Sequence, residues 1–140
     1  MNADKIFIDT NVLIYAFTSD EPDKQEITIK LIENCQPVVS TQVLREFSNV
    51  LLKKGNVSNE TIKETISEIT AITSVVDEDV SLILHAIDIN ARYKFSFYDS
   101  LIVVSALNSQ CQVLLSEDMQ DGQIIEGSLR IVSPFRGMRR

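Results

Sequence analysis

The chain has 140 residues and a net charge of -7, enough for one hydrophobic core and short for two. That acidity argues against a protein that holds nucleic acid by bulk electrostatics, because phosphate affinity normally comes from Lys and Arg. Met1 to Lys5 is polar and mixed in charge, unlike a signal peptide, and the longest uncharged run, Ser100 to Ser116, falls short of a membrane span, so a soluble cytoplasmic protein is expected.

Lys5 to Ile8 predicts a short buried strand, after which Thr10 or Asn11 caps a helix carrying Val12, Leu13, Tyr15, Ala16 and Phe17. Asp20 to Asp23 breaks that helix and starts the next, with Pro22 at or near its first position and an end near Asn34. Val38-Val39 is a brief strand, and Ser40-Thr41 cap a helix through Val43, Leu44, Phe47, Val50 and Leu51 that Gly55-Asn56 stops. Ser58 then caps an amphipathic helix with Ile62, Ile66, Ile69 and Thr73 on one face, followed by a short extended link at Val75-Val76.

Asp79 caps a further helix whose apolar positions are Val80, Ile83, Leu84, Ile87 and Ala91, and Asp99 opens one that is apolar nearly all round from Leu101 to Leu107. Val113 to Leu115 is a buried strand, Glu117 to Gly122 an acidic loop, and Leu129 to Val132 a last strand. Short apolar strands alternating with helices predict the α/β class, a three-layer sandwich with a mainly parallel central sheet. One domain over residues 1–135 is expected, with a mobile basic tail at 136–140. Cys35 and Cys111 show no CxxC spacing and no clustered His partner, and are expected as buried reduced thiols.

Asp9 stands out. It lies between the apolar runs Ile6 to Ile8 and Val12 to Phe17, where a charge is costly unless paired or bound to metal. In an open parallel sheet the functional crevice lies beyond the carboxyl ends of the strands. Asp9 leaves the first strand at that edge and Asp118 leaves the Val113 strand there, so the two are expected to be neighbours. Glu46 sits on the border of an apolar helical stripe, and Asp99 at a helix start, where the dipole favours an ionised carboxylate. Taken singly, Asp99 reads as an N-cap, Glu46 as a solvated or Arg45-paired acid and Asp118 as a turn residue. Together the four acids converge on one crevice. Two divalent cations there would offset four negative charges, so the acidity can itself report a metal site.

The pieces IFIDTNVLIYAF with Asp9, VSTQVLREFSNVL with Glu46, FSFYDSLIVVSAL with Asp99, LLSEDMQDG with Asp118 and the closing IVSPF span nearly the whole chain. In that order they resemble the PIN-domain family and, within it, the VapC-like toxins of type II toxin–antitoxin systems. The resemblance implies a PIN-like nuclease domain over residues 1–135: a Mg²⁺- or Mn²⁺-dependent endoribonuclease with one or two ions, leaving 5′-phosphate and 3′-hydroxyl ends. It further implies Asp9, Glu46, Asp99 and Asp118 as catalytic metal ligands and Thr10, Asn11 and Ser116 as supporting residues. Asp121 and Glu117 are additional acids of the same loop that compete with Asp118 for the metal. The partners it implies are an RNA substrate, a cognate antitoxin and a second copy of the chain in a homodimer.

Oxygen ligands without Cys or His suit a hard divalent cation. Arg45, Lys53-Lys54, Arg92 with Lys94, and the run Arg136, Arg139 and Arg140 are the candidates for phosphate contact, against a reading as solvated helix ends. His85 is set aside as a packed or surface residue. The alternatives are a housekeeping RNA-processing nuclease of the same family and a degenerate metal-binding module that only docks a partner. A phosphatase with an aspartate nucleophile is disfavoured, because Asn11 stands where that chemistry needs its second acid.

Overall fold

A computed structural model describes residues 4–138. Strand β1 (Lys5–Ile8) is central in a six-stranded sheet of order β3-β2-β1-β4-β6-β5, with β2 at Gln36–Ser40, β3 at Ser74–Val76, β4 at Val113–Leu115, β5 at Ile124–Ile125 and β6 at Leu129–Val132. Every pairing is parallel except that of β5 with β6. The helices are α1 (Thr10–Phe17), α2 (Pro22–Asn34), α3 (Thr41–Lys54), α4 (Asn59–Ile72), α5 (Val80–Tyr93) and α6 (Phe97–Asn108).

The layering follows from connectivity. β1 leads through α1 and α2 to β2, and β2 through α3 and α4 to β3, both steps running outward in one direction. The return from β3 through α5 and α6 to β4 runs the other way, past β2 and β1. Right-handed crossovers place the first four helices on one face and the last two on the other. Packing agrees, with α1 against α2 and α3, α3 against α4, and α5 against α6. The result is an α/β fold with a mainly parallel sheet flanked by helices. Chain direction reverses between β1 and β4, and at such a switch point the crevice opens beyond the strands' carboxyl ends.

The strands are short apolar runs because both faces are covered: Phe7, Ile8, Val39, Leu114 and Ile131 are all essentially inaccessible. Ser40, Ser58 and Asp79 cap α3, α4 and α5 by accepting from the N–H three residues on. Gly55 ends α3 at φ +74°, a conformation that favours glycine.

Three expectations change. Val75-Val76 is not a link but part of β3, because Val38 to Ser40 of β2 still offers a free edge to pair with Ser74 to Val76. The two-residue strand β5, with no periodicity of its own, is defined only by its antiparallel partner. On α5 the sequence selects the wrong face. Leu82, Ala86 and Ile89 are buried, while Val80 and Leu84 are 71% and 60% exposed and Ile83 and Ile87 are also exposed. Apolar residues run round most of this helix, so periodicity alone could not choose between its two faces. Cys111 is buried as expected, Cys35 only half-buried, and both are free thiols.

Candidate metal centre

Asp9 ends β1 and caps α1 itself: its Oδ1 accepts from the Thr10 N–H at 2.8 Å. This corrects the assignment of the cap to Thr10 or Asn11, since Asp9 has the extended backbone an N-cap needs. The Asp9 N–H donates to the Leu115 carbonyl at 3.0 Å, and Asp9 Oδ2 accepts from Ser116 Oγ at 3.0 Å. Ser116 is fully buried and also accepts from the Met119 N–H at 3.3 Å, so one hydroxyl couples Asp9 to the loop after β4.

Because Asp9 does the capping, Thr10 and Asn11 are free to serve other acids. Thr10 Oγ1 donates to Glu46 Oε1 of α3 at 2.7 Å, and Asn11 Nδ2 donates to Asp118 Oδ2 at 2.7 Å. Asp99 lies in the first turn of α6, but the cap there is Ser96, whose Oγ accepts from the Asp99 N–H at 3.1 Å. The Asp99 carboxylate is thus not consumed by capping. Nearby, Gln42 Nε2 donates to the Tyr98 carbonyl at 3.3 Å, pinning α6 to α3 one helical turn before Glu46. Gln42 Oε1 is buried without a hydrogen-bond partner.

The electrostatics tie the four acids together. Asp9 is raised from 3.8 to about 6, first by burial and then by the charges of Asp99 and Glu46, against the lowering effect of the Thr10 N–H and Ser116. Asp99 is also raised, first by burial and then by Asp118 and Glu46, with Ser96 opposing. Four carboxylates from β1, α3, α6 and the β4–β5 loop therefore act on one another.

The donor set of hard oxygens fits Mg²⁺ or Mn²⁺, and a cation there would relieve this repulsion. Among the described residues no three acids, histidines or cysteines converge into a closed ligand set. Asp9, Glu46 and Asp118 are each held by their own hydroxyl or amide donors, and closing the set around an ion takes side-chain rotation.

The other two loop acids are engaged by different partners. Glu117 accepts from Tyr15 Oη at 2.7 Å and pairs with Lys24 at 2.5 Å. Asp121 accepts from the Ser133 N–H at 2.8 Å, and with its other oxygen from Arg136 at 3.0 Å, which lowers its pKa. Neither is among the charges that shift Asp9 or Asp99. No sequence signal marks the Lys24 contact, since a helical lysine normally reads as solvated.

Arg136 pairs with Asp121 at 3.0 Å, and Arg139 and Arg140 lie outside the described residues. Of the other phosphate candidates, Arg45 pairs with Glu78, Lys54 with Asp20 and Arg92 with Glu126. A cleft of about 700 Å³, walled by Tyr15, Lys24, Glu117 and Phe135 and rimmed by Asp20, Glu21 and Asp23, includes none of the four clustered acids. Among the described residues no helix is long and apolar enough to cross a membrane.

These features define the class: an open, mainly parallel α/β domain with acids from four elements at its switch point. Residues 6–120 match the family model described as PIN domain, and the chain belongs to that family. Among solved structures it is similar to a toxin–antitoxin complex from Klebsiella pneumoniae (TM-score 0.70, 18% identity, 92% of this chain and 97% of that one). It is also similar to VapC20 of Mycobacterium tuberculosis, described as a sarcin–ricin-loop-cleaving toxin (0.64, 17%, 81% and 91%). A third is VapBC2 of Rickettsia felis bound to a DNA fragment from its promoter (0.67, 15%, 92% and 99%). At these identities the likeness is one of fold. Comparison with curated proteins found no match.

Proposed function

We propose that the chain is a Mg²⁺- or Mn²⁺-dependent endoribonuclease acting in the cytoplasm as the toxin of a toxin–antitoxin pair. The observation that carries this is Asp9: an acid raised to about 6 at the switch point, facing the charges of Asp99 and Glu46 with no cationic side chain among the groups acting on it. Asp9, Glu46, Asp99 and Asp118 would hold the ion. When bound, a divalent cation supplies Lewis acidity toward the scissile phosphate and lowers the pKa of water.

The chain's own residues set the geometry. Ser116 and the Thr10 N–H orient the two oxygens of Asp9, the Thr10 hydroxyl fixes Glu46, and Asn11 fixes Asp118. Gln42 anchors the turn that carries Asp99. A bound cation would supply the activation of water, so none of these side chains need act as general base; products with 5′-phosphate and 3′-hydroxyl ends are part of the proposal.

The similar structure from Klebsiella pneumoniae is described as a toxin–antitoxin complex, which supports an antitoxin partner here. A homodimer is part of the same proposal.

Incubating the purified chain with a structured RNA and Mn²⁺ tests the enzyme: cleavage that Asp9→Asn abolishes while folding persists is expected, and unchanged cleavage overturns the mechanism. Growth arrest on induction, relieved by the product of an adjacent gene, is expected of the toxin; absence of arrest at good expression overturns that role and leaves an RNA-processing nuclease.

A further inference from the structure

Lys24, in α2, is buried for a charged residue, only 9% exposed. Its Nζ lies 2.5 Å from Glu117 Oε2 and 3.3 Å from Tyr15 Oη, over the rings of Tyr15 and Phe135 at 4.7 and 5.1 Å from their centroids. Glu117 Oε1 accepts from the same Tyr15 hydroxyl at 2.7 Å. Removing such a pair in favour of apolar groups often costs nothing, whereas a lone buried partner is costly, so its use is better sought in what it arranges.

What it arranges is the loop after β4. Three consecutive residues there are tied in different directions: Ser116 to Asp9, Glu117 to Lys24 and Tyr15, and Asp118 to Asn11. Asp118 adds to the repulsion at Asp99, so an untethered loop would relax away from the other acids. Two anchors, Ser116 and Glu117, precede Asp118 and oppose that drift.

We propose that Lys24 is a positioning residue for the cation site, holding the loop through Glu117 so that Asp118 stays beside Asp9, Glu46 and Asp99. The inference rests on the metal-binding function proposed above.

Mn²⁺ alone is the probe, titrated calorimetrically into the full chain, with melting followed in parallel. Lys24→Met removes the cation of the pair and leaves a half-buried Glu117 carboxylate with its Tyr15 hydrogen bond, so it is compared with Lys24→Met/Glu117→Leu, which removes both charges and restores an apolar contact. A positioning role predicts that the double variant recovers most of the melting temperature yet binds Mn²⁺ about tenfold or more weakly, the scale expected for residues that orient metal ligands. Wild-type Mn²⁺ affinity in the folded double variant overturns the proposal, as does failure of both variants to fold, which would make the pair a requirement of folding. A wild-type chain that binds no Mn²⁺ would instead remove the cation site itself, and this inference with it.

Discussion

Ser116 Oγ donates to Asp9 Oδ2 at 3.0 Å across the carboxyl ends of β4 and β1, joining residues 107 positions apart. The register sets this up: Ile8 is level with Leu115, so the next residue of each strand meets at the sheet edge. Ser116→Ala removes this donor and the acceptor for the Met119 N–H in a fully buried place. We expect a cost of about 1–3 kcal/mol in urea unfolding. Because that hydrogen bond lowers Asp9, carbon-detected titration of its carboxyl should show a midpoint above the wild-type value of about 6. An unmoved midpoint would contradict the coupling.

Asp9 also fixes the sign of the pH dependence. Its carboxyl is raised in the folded state to about 6 from 3.8, so between those values the native state binds more protons than the unfolded one. Stability from this group therefore falls as pH rises through that window, by roughly 2–3 kcal/mol once both states are ionised. Chelator-treated protein should lose melting temperature between pH 4 and 6.5 on this account, and Mn²⁺ should restore it at the upper end. Metal-insensitive melting at pH 7 would count against a cation at this site.

Asp9→Asn is expected to move stability and activity in opposite directions. Asn keeps an oxygen for the Thr10 N–H but carries no charge, so the metal-free variant should be more stable than wild type at pH 7.5, by about 1–2 kcal/mol. Cleavage and calorimetric Mn²⁺ binding should fall by about a hundredfold or more. A destabilised variant would mean that Asp9 is held by a cationic partner.

The loop acids separate cleanly. Asp118→Asn should abolish Mn²⁺-dependent cleavage, while Asp121→Asn, whose side chain serves Ser133 and Arg136, should keep activity within about threefold of wild type. Equal loss in both would return Asp121 to the metal site.

The face of α5 is checked by paired truncations. Leu82→Ala should cost about 2–5 kcal/mol and Leu84→Ala no more than about 0.5 kcal/mol, since the first is buried and the second exposed. Similar costs would contradict the packing of α5 on α6.

Local signals carried much of this structure because they act over three or four residues. Ser40, Ser58, Asp79 and Gly55 mark helix ends, and each does so through its own hydroxyl, carboxylate or backbone freedom. Asp9 was legible as a candidate for a related reason: an apolar strand that ends in a lone acid marks the carboxyl edge of a sheet. What failed was nonlocal. β3 and β5 exist through their partners' edges, α5 chooses between two apolar faces according to what α6 presents, and Glu117 is separated from Asp118 in role because α2 delivers Lys24 to it.

From the sequence by itself came the α/β class and the order of most elements, because apolar runs and caps are properties of short segments; Asp9, Glu46, Asp99 and Asp118 were candidates there and are ligands by proposal. Only the tertiary structure decided that Asp9 caps its own helix, that Thr10, Asn11 and Ser116 each hold a different acid, and that Glu117 and Asp121 are held by other partners. Those assignments depend on donors far apart in the chain, and a hydrogen bond selects its acceptor by distance in space.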